Sequence, residues 1–144
     1  MTIAVLVPLY QSQLTSDEQT SLRHLGHHLG GLPLIALQPA GLGLRLPGFA
    51  AREFPAHHFA SVSAYSKLLL SPAFYEAFRE FDYIVIYQTD CLVFSSDLAR
   101  FCQMGYDYLG APLFEKASQP PRLSRVGNGG LSLRRVQAFL DVLK

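Results

Sequence analysis

Cysteine is nearly missing from this 144-residue chain: Cys91 and Cys102 alone cannot build a disulfide framework, and the Cys-rich spacing of a structural zinc site is absent. A reducing compartment fits that usage. Charge is also scarce, at 16% of residues, and 12 Lys+Arg against 11 Asp+Glu leave no basic excess to draw a polyanion, so nucleic acid is not an expected partner. With 49% hydrophobic residues the same figures exclude disorder. No apolar run is long enough to span a bilayer. The run from Ile3 to Leu9 is short, and it lacks the basic flank and cleavage site of a signal peptide. The expectation is a cytoplasmic chain without a membrane span. There is no internal repeat and no low-complexity tract. No Gly-x-Ser-x-Gly, P-loop or Gly-x-Gly-x-x-Gly motif follows the first strand, so hydrolase, ATPase and dehydrogenase readings lack their local chemistry.

What is present is enough for one domain over residues 1–144, burying roughly two-thirds of the surface its unfolded form exposes. Ile3-Ala4-Val5-Leu6-Val7, closed by Pro8, reads as a central strand covered on both faces. Thr15 and Glu18 have capping-box spacing, and Leu22, Leu25 and Leu29 share one helical face until Gly30-Gly31. Leu34–Leu37 reads as a second strand ended by Pro39, and Arg52-Glu53-Phe54 as a short third. Ser61 or Ser63 is expected to cap a helix through Leu70. Ser71-Pro72 starts another, with Phe74, Phe78 and Phe81 as its buried stripe. A strand from Tyr83 to Asp90 resumes as Leu92-Val93-Phe94, and Ser96 caps a short helix ended by Gly105. Tyr106–Ala111 is a strand entering Pro112. The glycine block Gly127-Asn128-Gly129-Gly130 follows, and a helix over Val136 to Lys144 stops without a Gly or Pro terminator, which predicts a truncated C-terminus. Strands alternating with helices predict an α/β layer structure with a mostly parallel sheet, whose ligands sit outside the carboxyl ends of the strands. Tyr10, Gln88 and Asp90 would share that rim.

Asp90 is the first candidate for chemistry, because a lone carboxylate among apolar residues carries a large desolvation cost unless it reaches an open edge or meets a cation. The competing explanation is a loop or helix-capping Asp. The glycine block is the second candidate, since adjacent glycines let backbone approach a ligand, while Asn-Gly is also a plain hairpin turn. Arg134 offers a planar fork for phosphate, or forms an exposed pair with Arg135. His24 and His28 have the spacing of a helical metal pair without an acidic third ligand, so a solvated helix face is expected, and His57-His58 falls in a loop.

Tyr87-Gln-Thr-Asp-Cys-Leu-Val-Phe94, Gly105-Tyr-Asp-Tyr-Leu-Gly-Ala-Pro112 and Val126-Gly-Asn-Gly-Gly-Leu-Ser-Leu-Arg134 together resemble a bacterial domain family of the GT-A glycosyltransferase superfamily. The likeness also takes in Val7-Pro8-Leu9-Tyr10, Tyr65-Ser66-Lys67-Leu68-Leu69 and Phe74-Tyr75-Glu76-Ala77-Phe78. It implies a GT-A-like, Rossmann-like three-layer sandwich that binds a nucleotide-diphosphate sugar and transfers the sugar to an acceptor, a glycan, lipid or protein. Gln88-Thr89-Asp90 would then stand at the superfamily's Asp-x-Asp signature, with Gln88 in place of the first acid. Asp90 becomes the candidate ligand for Mn²⁺ or Mg²⁺, and Gln88 an acceptor for a ribose hydroxyl. Pro8, Tyr10 and Lys67 join Gln88 and Asp90 on the nucleotide side. Asn128, Gly129, Gly130 and Arg134 fall beside the donor sugar and acceptor. The general base of related inverting enzymes is an acid beyond the glycine block; here only Asp141 follows it, so the resemblance places the base beyond Lys144. A non-catalytic scaffold that kept the shape after losing its acid pair is the alternative, and Gln88 is its best support.

Overall fold

The computed structural model describes residues 1–115 and 118–144. Six strands form one sheet: β1 (Ile3–Pro8), β2 (Leu34–Pro39), β3 (Phe49–Phe54), β4 (Tyr83–Tyr87), β5 (Tyr108–Phe114) and β6 (Leu123–Arg135). Their order across the sheet is β3-β2-β1-β4-β6-β5. β1 pairs in parallel with β2 and β4, and β2 with β3, whereas β6 is antiparallel to both β4 and β5. One strand thus runs against the other five, and the expected mostly parallel α/β sheet is present.

The helices are α1 (Ser16–Leu29), α2 (Val62–Leu68), α3 (Pro72–Glu76), α4 (Leu98–Gln103) and α5 (Val136–Val142), with a 3-10 turn at Ala56–Phe59. Every residue of β1 is buried, and its side chains alternate between two cores. Val5 and Val7 pack with Leu25 and Leu29 of α1, and Leu6 with Phe74 of α3, Phe78 just beyond it and Leu140 of α5. Helices therefore cover both faces. Fully burying each such aliphatic or aromatic side chain contributes about 1.5–3 kcal/mol, which is why the unbroken β-branched run belongs at the centre.

Local chemistry sets the helix starts. The Thr15 hydroxyl accepts from Glu18 N at 3.2 Å while Thr15 N donates to Glu18 Oε2 at 2.8 Å, completing the capping box. Ser61 caps α2 and Ser71 caps α3 with Pro72 first, but both helices are short, and of the expected aromatic stripe Phe78 and Phe81 lie past the end of α3. Three expectations are corrected. Leu92–Phe94 does not resume the strand: β4 ends at Tyr87, and Phe94 is exposed. Ser96 does not cap α4; Asp97 holds that position without a side-chain bond. The glycine block is not a turn but part of the long strand β6, irregularly paired with β5, where the register moves from Gly110↔Ser132 to Ala111↔Asn128. No helix among the described residues is long and apolar enough to cross a membrane.

Candidate functional site

From β1 the chain winds outward to β2 and β3, then returns to place β4 on the other side of β1. The strand order therefore reverses between β1 and β4, and a crevice opens outside their carboxyl ends. A cavity of about 980 Å³ occupies it. Pro8, Tyr10, Gln88 and Asp90 all line it, as the rim position of each predicts.

The tip after β4 is held from beneath. The Tyr87 hydroxyl lies 2.8 Å from Ser21 Oγ and donates to the Cys91 carbonyl at 2.8 Å, and Ser21 Oγ donates to the same carbonyl at 2.6 Å. Thr89 Oγ1 donates to Glu18 Oε1 at 3.2 Å. The carboxylate that closes the α1 capping box thus also anchors the tip. Cys91 N bonds the Gln88 carbonyl at 3.0 Å, making a tight turn that lifts Asp90 to its apex. Asp90 is exposed, and its recorded side-chain contact is the Cys91 thiol at 3.6 Å. Its carboxylate is left available to a ligand. Burial first, and then Asp90, push the Cys91 thiol up to about 11, so it stays protonated near neutral pH and is no nucleophile.

Gln88 serves the fold as well as the rim. Its N–H donates to the Gly130 carbonyl at 2.9 Å, and a Cβ on Gly130 would lie 2.8 Å from the Gln88 Cδ and collide with Oε1. A larger residue at 130 would push that amide aside. Gly130 N donates to Asn128 Oδ1 at 2.9 Å, which ties the Asn side chain to its own strand. Gly130 therefore adjoins the cavity through Gln88, and Asn128, Gly129 and Gly130 are not among the lining residues. Arg134, further along β6, is buried at 5% exposure and bonded to Tyr75, Ser132 and Gly129. It is neither an exposed pair with Arg135 nor among the lining residues.

Lys67 is a correction. It is exposed and does not line the cavity, which α2 meets instead with Ser61, Val62 and Tyr65. Two residues along a helix is roughly 200° of rotation, so Tyr65 facing the cavity turns Lys67 away. Asp141 also lies outside it, bonded at 2.9 Å to both Gln137 and Lys144, and these bonds lower its carboxyl pKa. His24 is half-buried, with Nδ1 3.3 Å from the Val93 carbonyl, and is not simply solvated.

Sequence reasoning missed Asp17 and Tyr65 as lining residues, and took Glu18 only as a cap. The α1 start follows directly on the first strand, so its first turn faces the crevice; that connection was the available signal. Among the described residues the charged groups on the lining are Asp17, Glu18 and Asp90, with no Lys or Arg. Among the described residues no three His, Cys, Asp or Glu side chains are placed to hold a metal ion. A protein-enclosed cation site does not fit; a single carboxylate sharing a hydrated cation with a ligand's phosphates does.

A comparison with curated proteins found no match. A family model described as "Protein of unknown function (DUF5672)" matches residues 48–144, from the start of β3 through α5 and including Gln88–Asp90 and the glycine block, and the chain belongs to that family.

Proposed function

We propose that this is a glycosyltransferase-like domain whose β1/β4 crevice binds a nucleotide-diphosphate sugar and whose chemistry is transfer of that sugar to an acceptor hydroxyl. The observation that carries the reading is the free Asp90 carboxylate at the apex of a braced turn, over a crevice large enough for such a ligand. The exposed Tyr10 ring offers a face for a base, and Gln11, Thr15 and Ser61 offer partners for hydroxyls. Transfer needs the charge growing on the leaving diphosphate to be stabilised. A divalent cation arriving with the donor would do this, and Asp90 is the residue that would hold it. The acid-lined crevice supports that division of labour, because the three carboxylates on its lining, with no basic side chain among the described lining residues, repel a bare diphosphate.

Calorimetric titration with UDP, GDP and their sugars, with and without Mn²⁺, tests the reading. Saturable, Mn²⁺-dependent heat is expected. The second reading, a non-catalytic binding or scaffold module, draws on Gln88, whose amide is packed against Gly130 where the superfamily's signature has an acid. For a scaffold, none of these titrations gives heat.

A further inference from the structure

Outside the crevice, three histidines gather on the second half of α1: His24, His27 and His28. His24 and His28 stand one turn apart on the same helix face, both half-buried, with ring centroids 6.2 Å apart. His24 Nδ1 lies 3.3 Å from the Val93 carbonyl. A carbonyl only accepts, so Nδ1 carries the proton and the lone pair of the neutral ring is left on Nε2. Metal-bound imidazoles are held in this way, their second N–H bonded to a carbonyl or carboxylate that fixes tautomer and orientation. The Phe94 ring meets His24 edge-on at 5.5 Å and limits its rotation further. Bonds of about 2.0–2.1 Å to one tetrahedral ion place two imidazole centroids roughly 5 Å apart. The pair must close by about 1 Å, which a small turn of His28 about its side-chain bonds provides. Among the described residues no third His, Cys, Asp or Glu completes a metal-holding group, so water fills the other positions. The nearest cation along the helix, Arg23, is drawn back to the Thr20 hydroxyl at 2.9 Å, and the carbonyl end of α1 favours positive charge.

We propose that His24 and His28 form a two-imidazole site for a divalent late-transition cation, Zn²⁺ in the first place, with water as the remaining ligands. Imidazole nitrogen suits Zn²⁺, Ni²⁺ and Cu²⁺, whereas a carboxylate such as Asp90 suits Mg²⁺ and Mn²⁺, so the two places draw different ions. A cation on Nε2 makes Nδ1–H a stronger donor to Val93, which lies in the segment running from the Asp90 turn to α4. Binding therefore fastens that segment to α1. The site stands whether or not the crevice takes a nucleotide sugar.

The test is calorimetry on the 144-residue chain with zinc chloride, and magnesium chloride as the hard-ion control, at slightly alkaline pH where imidazole is neutral. One saturable Zn²⁺ event is expected, with no matching Mg²⁺ event. His24→Gln and His28→Gln should each weaken it at least about tenfold, since even the loss of an outer partner of a ligand costs about 10–100-fold. Replacing both His57 and His58 by Gln removes the neighbouring pair in the 3-10 turn, whose rings lie 4.0 Å apart, and should leave the affinity unchanged. Long-range imidazole ¹⁵N spectra of the unaltered chain give a readout that does not depend on how a variant folds. The Nε2 signals of His24 and His28 should move on Zn²⁺ addition while His24 Nδ1 stays protonated. No saturable Zn²⁺ heat, unchanged affinity in His24→Gln or His28→Gln, lost affinity in the His57 and His58 variant, or movement confined to the signals of His27, His57 or His58 overturns the proposal.

Discussion

Asp90 and Gln88 stand two positions apart and do different work. The amide of Gln88 fills the space beside Gly130, whereas the Asp90 carboxylate is turned to solvent above the crevice. Asp90→Asn removes charge and keeps shape, so in a transfer assay with labelled donor the rate is expected to fall about a hundredfold, the loss of an electrostatic stabiliser worth several kcal/mol. An unaltered rate would leave Asp90 without its assigned role. The neighbouring thiol gives a second test. With its pKa raised from the usual 9.0 to about 11, Cys91 favours the folded state most at and below the lower value, and that contribution declines as pH climbs through this interval. Alkylation of the native protein by iodoacetamide, followed by peptide mapping, should be slow at Cys91 near neutral pH and accelerate only as pH approaches 11. Rapid labelling near neutral pH would mean a different environment. Asp90 was legible in the sequence because an isolated acid in an apolar run has few inexpensive explanations. Lys67 was misplaced because local spacing predicts a helix but not its rotation about its own axis.

The glycines of β5 and β6 illustrate the same limit for an element. Glycine clustering announces close approach of backbone without saying what approaches. The answer here is another strand. A Cβ on Gly110 would fall 2.6 Å from Gly127 Cα and 2.9 Å from Asn128 N, atoms of backbone that cannot swing aside. Gly127 itself has φ +102°, a conformation that other residues adopt only under strain. Gly110→Ala should therefore lower stability by about 1–3 kcal/mol or more, read as a drop in urea midpoint, because overpacking against backbone forces the strands apart. A midpoint within error of wild type would show that the irregular pairing yields freely. At the other end of the crevice, Thr15→Ala removes one half of a complete capping box, with an expected cost of about 1 kcal/mol. This box was readable from spacing alone, since its partners lie three residues apart. The Glu18–Thr89 bond that lends it a second duty joins residues 71 positions apart, and no local pattern reports it.

For the molecule as a whole, the alternation of strands and helices was enough to give a mostly parallel sheet, and the alternation of β1 side chains between two cores explains why helices cover both faces. The antiparallel insertion of β6 between β4 and β5 was not legible, because register and neighbour choice are decided by long-range pairing. That order is what brings the ends of β1 and β4 together and puts the glycine strand beside Gln88. Chemical-shift mapping on isotope-labelled protein, during addition of a UDP-sugar or GDP-sugar with Mg²⁺, asks most directly whether this junction is the binding site. The expected result is a cluster of perturbed amides at Tyr10, Tyr65 and Gln88–Asp90, spreading to Gly130 through its bond with Gln88. A spectrum unchanged at saturating ligand, or changes gathered on the outer strand β3 while the β1/β4 junction stays silent, would contradict the assignment.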